Sequence, residues 1–255
     1  MAIENKPKIL IVTPTADHKD YCLKDWAESI RNLSYDNLDM LIIDNSKDKN
    51  HVNEFSKYKF RPKTFVTHIE RTEKHADIRH LMKDCNNFGN AFAIKNGYDY
   101  ILSIESDVFA PCKNAVEILL SHKKEVVGFD YFIAQYHKST PVVFTRISES
   151  SYFTNDVQGT LKSGFLLHDG KLKKVPNLGL GFILIRKSVF IETPFRIDDS
   201  EWRISCENWA HADTFFHIDL QKKGIPIWCD TRYMCEHRNQ HWNDVLQKEI
   251  HLCLI

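Results

Sequence analysis

The chain has 255 residues, of which 43 % are hydrophobic and 12 % aromatic, so it is long enough to bury a sizeable core and is too apolar for a disordered chain. Lysine plus arginine and aspartate plus glutamate number 34 each, a balance that lacks the electrostatic signature of a dedicated nucleic-acid-binding protein. No segment approaches the roughly 18 consecutive apolar residues of a membrane-spanning helix.

The predicted elements of the first half alternate between strands and helices. Parallel strands buried on both faces are typically continuous apolar runs, and KILIVTPT (8–15) fits that description. In chain order the elements are the strand KILIVTPT (8–15), a helix with Leu23, Trp26, Ile30 and Leu33 at helical spacing, the strands LDMLIIDNS (38–46) and KTFVTHI (63–69), a helix over 75–96, and the strand at 99–104. This alternation predicts a parallel sheet with right-handed crossovers.

The second half contains shorter elements. In chain order they are the strands EVVGFDYFI (125–133) and PVVFTRI (141–147), a hairpin SGFLLHDGKLKKV (163–175) around Asp169 and Gly170, a strand entering a helix in LGLGFILIRKSVF (178–190), a helix in ENWAHADTFFHIDLQKKG (207–224) and the strand IPIWCDTRYMCEH (225–237). Gly224 occupies the usual stop position of a helix. With no internal repeat or break in composition, we expect one α/β domain over residues 1–255.

The amino-terminal residues and the cysteines both bear on location. The first residues, MAIENKPKILIV, lack the apolar stretch of a secretory signal peptide. The seven cysteines are odd in number and scattered, which favours a reducing compartment over a disulfide framework. We therefore expect a cytoplasmic protein without a membrane span.

Polar side chains end three of the predicted parallel strands: Thr13 and Thr15, then Asp44, Asn45 and Ser46, then Glu105 and Asp107. In open α/β sheets, ligands bind beyond the carboxyl ends of the strands. Two carboxylates one residue apart suit Mg²⁺ or Mn²⁺, which commonly share carboxylates with substrate phosphates. Such an ion can neutralise a diphosphate leaving group. The glycine-rich signatures of dinucleotide-binding folds and P-loops are absent from the sequence. Taken alone, Glu105 and Asp107 also fit an ordinary solvated turn.

The order and spacing of these segments resemble the metal-dependent glycosyltransferases of the GT-A type, particularly the family 2-like group, over most of the chain. The segments that carry the resemblance are ILIVTPTADHKDYCLKDWAESI, MLIIDNS, NGYDYILSIESDV, NLGLGFILIRKSVF and HADTFFHIDLQKKGIPIWCDTRYMCEH. The resemblance implies a Rossmann-like mixed sheet flanked by helices, with a nucleotide-binding half (1–110) and an acceptor-binding half (111–255). It implies a UDP- or GDP-linked sugar donor, Mn²⁺ or Mg²⁺, and an inverting transfer to an acceptor hydroxyl.

The resemblance also implies roles for individual residues. The metal ligands would be Asp107 and His237, and the catalytic base would be Asp213. The donor contacts would be Thr13, Pro14, Thr15, Asp44, Arg79, Glu105 and Ser106, with Lys83 an alternative to Arg79 at the diphosphate. The acceptor contacts would be Gly179, Gly181 and Trp209. Two departures from the family pattern stand out: Glu105 replaces the first acid of the Asp-X-Asp motif, and Ala212 replaces the first acid of a pair that ends at Asp213.

Three other readings stay open at this point. A nucleotidyltransferase also uses strand-end acids and Mg²⁺, although TPTADHKD has neither the glycines nor the arginines of its usual loop. A non-catalytic nucleotide-binding relative is favoured by the two departures. A structural zinc site at Cys229, Cys235, His237 and His241 fits no common zinc spacing. In a continuous strand, Cys229, Cys235 and His237 would share one face, which favours core cysteines.

Overall fold

A computed structural model gives the fold and describes residues 6–131, 154–155, 161–162, 168–198 and 211–238. The strands are β1 (Ile9–Thr15), β2 (Leu38–Asp44), β3 (Lys63–His68), β4 (Tyr100–Ile104), β5 (Val108–Phe109), β6 (Val126–Tyr131), β7 (Thr154–Asn155), β8 (Leu161–Lys162), β9 (Leu172–Val175), β10 (Phe182–Arg186) and β11 (Ile227–His237). The helices are α1 (Asp20–Arg31), α2 (Ile78–Lys95), α3 (Ala115–Ser121), α4 (Lys187–Glu192) and α5 (Ala212–Lys222), and short 3₁₀ helices cover Asp17–Lys19 and Lys49–Lys57. Within these ranges, every helix is too short or too polar to cross a bilayer.

One mixed sheet of nine strands organises the molecule, in the order β3-β2-β1-β4-β10-β6-β11-β5, with β9 paired to β11. The first four strands of this order are parallel, as the sequence predicts. Strand β10 then lies antiparallel between β4 and β6. Strands β7 and β8 form a separate two-stranded ladder. The prediction of a mixed sheet flanked by helices in one domain is confirmed.

Both faces of the sheet are buried, which explains the continuous apolar strands. Along β1, Ile9 and Ile11 pack into a cluster with residues of α1 and α3, whereas Leu10 and Val12 pack into a second cluster with residues of α2, α4 and α5. Successive strand residues point to opposite faces, so a strand with helices on both sides needs an apolar residue at every position.

The predicted helices form close to their expected bounds. Helix α1 buries Trp26 and Ile30 but ends at Arg31, so the buried Leu33 packs from the turn that follows. Helix α2 begins after Asp77, whose side chain accepts hydrogen bonds from the first backbone N–H groups. Helix α5 is followed by Gly224, whose φ of +71° is the left-handed conformation expected at a helix stop.

The expected hairpin and the last strand both lie in the second half of the chain. The turn at Gly170 is present, but β9 after it pairs with β11, and the first arm of the expected hairpin (163–167) lies outside the described residues, as does PVVFTRI (141–147). The expectation that Cys229 and Cys235 share a face is wrong. A register shift in β11 lies between them, and they belong to the clusters on opposite faces of the sheet.

Candidate metal and donor site

Three potential metal ligands meet at the carboxyl edge of the sheet. Glu105 and Asp107 occupy the tight turn between β4 and β5, and His237 is the last residue of β11. Each of the three offers a ligand atom, and these atoms all lie within 4.8 Å of one another. The structure therefore brings together Asp107 and His237, the two residues predicted to bind the metal, and places Glu105 beside them.

The backbone holds these side chains in place. Strand β5 pairs antiparallel with the end of β11, with Val108 opposite His237, and the Arg238 N–H donates a 2.8 Å hydrogen bond to the Asp107 carbonyl. On the other side, the Glu105 N–H donates to the Gly181 carbonyl at 3.2 Å. The site is thus anchored to rigid strands rather than to a free loop.

A lysine also enters this cluster. The Lys19 ammonium lies 2.7 Å from Asp107 Oδ1 and 3.8 Å from Glu105 Oε2. Sequence reasoning assigned Lys19 no role. Its position shortly after β1 could have indicated that Lys19 lies near Glu105 and Asp107. Strands β1 and β4 are adjacent and parallel, so the segments that follow them leave the same edge of the sheet.

The two carboxyl groups differ in their electrostatics. Burial opposes ionisation of Asp107, but contact with His237, at 3.4 Å between Nε2 and Oδ2, and the charge of Lys19 lower the pKa of Asp107 to about 2. Burial raises the pKa of Glu105, against the attraction of Lys19, and the negative charge of Asp107 adds to the rise. Asp107 is therefore the firmly ionised member of the pair, as a metal ligand must be.

The donor set fits a divalent ion. Mg²⁺–oxygen and Ca²⁺–oxygen bonds span about 2.0 to 2.6 Å, so two ligands of one such ion lie at most about 5 Å apart, in agreement with this cluster. Two carboxylates suit Mg²⁺ or Mn²⁺, and an imidazole ligand is less usual for Mg²⁺, which prefers oxygen. Three protein ligands would leave positions for water and for phosphate oxygens.

The predicted donor residues of β1 lie at the same edge and are buried. The Thr15 and Ser106 hydroxyls are hydrogen-bonded to each other at 2.7 Å, which ties the end of β1 to the metal-site turn. Pro14, which lies between Thr13 and Thr15 in the sequence, is also buried. Thr13 is fully buried, and its hydroxyl oxygen has no hydrogen-bond partner within the described part of the chain.

Asp44, predicted to contact the nucleoside, is fully buried in a network of its own. Its Oδ1 accepts hydrogen bonds from Ser46 Oγ at 2.6 Å and from His51 Nδ1 at 2.8 Å, and its Oδ2 accepts one from His68 Nδ1 at 2.7 Å. The His51 Nε2 faces Asp20 at 3.0 Å. Although burial favours neutral His51, the hydrogen bonds to Asp44 and Asp20 raise its pKa. Asp44 thus orients two histidines.

The candidates for a diphosphate contact sit at the start of α2. Arg79 is only 5 % exposed, and its guanidinium donates to Asp77 through Nε at 2.9 Å and through a terminal nitrogen at 2.6 Å. The Lys83 ammonium lies 3.0 Å from Asp84. In this structure both cations are engaged by neighbouring carboxylates.

The residues predicted for the acceptor side are partly described. Gly179 and Gly181 are both buried, and a Cβ at Gly181 would lie 2.6 Å from the Tyr131 ring, so Gly181 is needed for close packing. The Tyr131 ring packs edge-on against His237 with 5.3 Å between ring centroids. Asp213 is half-buried in the first turn of α5, and its negative charge adds to the rise in the pKa of Glu105. Trp209 lies outside the described residues.

Comparison with solved structures identifies the class of fold. The chain matches 347 chains of solved structures, and the glycosyltransferase structure described below shows that the mixed sheet with its flanking helices has the GT-A fold. Neither protein-family profiles nor curated protein sequences match it.

One of these structures is the crystal structure of GalNAc-T7 with UDP, GalNAc and Mn²⁺, which superimposes with a TM-score of 0.63 at 14 % sequence identity. The alignment covers 94 % of this chain and 46 % of that chain, so the chain spans under half the length of that protein. The predicted GT-A fold is confirmed, and the narrower family 2-like assignment stays a prediction.

Proposed function

We propose that the protein is a metal-dependent glycosyltransferase that moves a sugar from a nucleotide-sugar donor to an acceptor hydroxyl. The observation that carries this proposal is the convergence of Glu105, Asp107 and His237, whose ligand atoms lie within 4.8 Å of one another at the carboxyl edge of a GT-A fold. The crystal structure of GalNAc-T7, which contains UDP, GalNAc and Mn²⁺, shares that fold and supports the same reading.

In this proposal Asp107 and His237 hold the divalent ion, with Glu105 as the adjacent acid, and Mn²⁺ is the better fit because imidazole is part of the set. When bound, the ion would neutralise the charge that develops on a diphosphate leaving group. Asp213, at the start of α5, would accept the proton of the acceptor hydroxyl as a general base in an inverting displacement. The glycines Gly179 and Gly181, with Trp209, would form the acceptor side.

The donor contacts follow from the same edge of the sheet. Thr13, Pro14, Thr15 and Ser106 are buried and would support a UDP- or GDP-linked sugar from beneath, with Thr15 as the partly accessible threonine. Arg79 would contact the diphosphate once it leaves Asp77. Asp44 has no exposed surface, so we propose that it acts by orienting His68, whose side chain is 16 % exposed. A cytoplasmic location belongs to the same proposal.

The test is the substitution Asp107→Asn, which keeps the size of the side chain and removes its charge. With Mn²⁺ and a panel of UDP- and GDP-sugars, we expect release of nucleoside diphosphate to fall by about 100-fold or more, because the ion that would stabilise the leaving-group charge loses one of its ligands. Asp36→Asn is the matched control, since Asp36 is 72 % exposed and precedes β2 at the opposite edge of the sheet.

The products separate the proposal from its rivals. Free nucleoside diphosphate together with a glycosylated acceptor supports transfer, whereas pyrophosphate indicates a nucleotidyltransferase. Tight binding of nucleoside diphosphate with no turnover on a broad acceptor panel indicates a non-catalytic relative. Unchanged turnover in Asp107→Asn refutes the metal assignment.

A further inference from the structure

Lys19 shares the carboxylates that the metal would use. Its ammonium lies 2.7 Å from Asp107 Oδ1 and 3.8 Å from Glu105 Oε2, and its side chain is 22 % exposed. Two carboxylates this close repel each other when both are ionised, and a nearby cation relieves that repulsion. The ammonium therefore already performs, in part, the electrostatic task of a divalent ion.

The position of Lys19 is set by the fold. It ends the short 3₁₀ helix that follows β1, its N–H donates to the Ala16 carbonyl at 2.9 Å, and the Cys22 thiol donates to its carbonyl at 3.4 Å. Since β1 is paired with β4, this helix and the turn that carries Glu105 and Asp107 lie side by side. The lysine is thus anchored next to the cluster through its own backbone.

We propose that the Lys19 ammonium is a tethered cation that occupies the cation position beside Glu105 and Asp107, and that a divalent ion binds there only by displacing this ammonium. The inference rests on the proposed function, because it concerns the same cation site. A carboxylate oxygen that receives a 2.7 Å hydrogen bond from an ammonium cannot at the same time coordinate an ion in that direction. Lys19 therefore weakens the binding of the ion and keeps the acidic site neutralised until the ion arrives.

The experiment measures Mn²⁺ binding to the full chain without donor, by calorimetry and by the paramagnetic resonance signal of free Mn²⁺. Because a charge-assisted hydrogen bond no longer has to be broken, we expect Lys19→Met to bind Mn²⁺ about 10- to 100-fold more tightly than the wild type. Lys19→Arg, which keeps the charge, should retain weak binding. Lys24→Met is the matched control, since Lys24 is an exposed lysine of the same helix region.

The outcomes are distinct. Tighter binding in Lys19→Met that is lost again on adding Asp107→Asn supports the proposal. Equal affinity in wild type and Lys19→Met, abolished in both by Asp107→Asn, overturns the proposal and leaves the cation site intact. Absence of Mn²⁺ binding in every variant, each shown to be folded by circular dichroism, overturns the cation site and the proposed function with it. Lys19→Gln replaces the methionine variant if that variant does not fold.

Discussion

At the scale of single residues, His217 is the buried group with the clearest consequence for stability. It is 4 % exposed on α5, and its Nε2 has no hydrogen-bond partner within the described residues. Burial lowers the pKa of His217 from 6.5 to about 4, against the attraction of Asp213. Burying this imidazole therefore requires that it stay neutral.

This pKa shift predicts a loss of stability in mild acid. A histidine whose pKa is lower in the folded state binds its proton more readily when unfolded, so its contribution is complete above its unfolded pKa and decreases as the pH falls toward the folded pKa. Between about pH 7 and about pH 5, His217 should lower the free energy of unfolding by about 2 kcal/mol. Urea unfolding of the wild type and of His217→Leu at both pH values measures this difference.

The leucine variant is the control for all other titrating groups. Removing an imidazole nitrogen without a partner should cost little at neutral pH, because the buried polar group disappears with it. The two proteins should therefore differ by less at about pH 7 than at about pH 5, with the variant the more stable in acid. An identical pH dependence in both proteins would show that His217 is not the titrating group.

At the scale of elements, the packing of α2 on β1 depends on one glycine. A Cβ at Gly89 would lie 2.6 Å from Val12 Cγ1 and 3.2 Å from Val12 Cγ2, so the helix and strand approach too closely for any side chain there. Gly89→Ala should add about 1 kcal/mol of helix propensity but cost about 1 to 3 kcal/mol through overpacking. We expect a net loss of about 1 kcal/mol in the free energy of unfolding, measured in urea.

A double-mutant cycle with Val12→Ala isolates this contact. Val12→Ala alone leaves a cavity and should destabilise the protein, whereas in the Gly89→Ala background the new methyl group enters that cavity. The coupling energy should therefore be favourable, about 1 kcal/mol. Additive effects of the two substitutions would indicate that α2 moves away from β1 instead of clashing with Val12.

The elements were predictable where a local pattern decides them. The apolar runs of β1, β2 and β4 follow from burial on both faces, and the end of α5 follows from Gly224. Helix α2 was expected from residue 75, and the structure begins it after the capping Asp77. The irregularity in β11 was not predictable, because its register shift depends on pairing with β6, which is distant in sequence. For that reason the faces of Cys229 and Cys235 were assigned wrongly.

At the scale of the whole molecule, the order of strands in the sheet determines which residues of the site can be identified from the sequence. Asp107 and His237 were identified because their motifs follow a familiar order, and the fold brings them together. His68 at Asp44 and Lys19 at Asp107 were not identified, because these pairs become neighbours only through the sheet: His68 stands opposite Asp44 in the β2–β3 pairing, and Lys19 follows β1 beside β4. His51, only seven residues after Asp44, was missed although it is close in sequence. Strand order is a long-range property that no local pattern contains.

The same sheet order predicts that the two proposed halves, 1–110 and 111–255, unfold as one unit. Strand β10 lies between β4 and β6, and β5 is paired with the end of β11, so strands from both halves share hydrogen-bonded edges. Separating them would expose the buried edge of β4, which is unfavourable for apolar strands with unpaired N–H and C=O groups.

Hydrogen exchange in increasing urea tests this cooperativity. Peptides from β1 and from β10 should lose protection at the same urea concentration, because interleaved strands belong to one cooperative unit. The short 3₁₀ helix at Lys49–Lys57 serves as a local reference, since its mostly exposed turns should exchange earlier without global unfolding. Loss of protection in β6, β10 and β11 while β1 and β2 stay protected would mean that the parallel strands form a stable unit of their own, and that the second half only docks onto them.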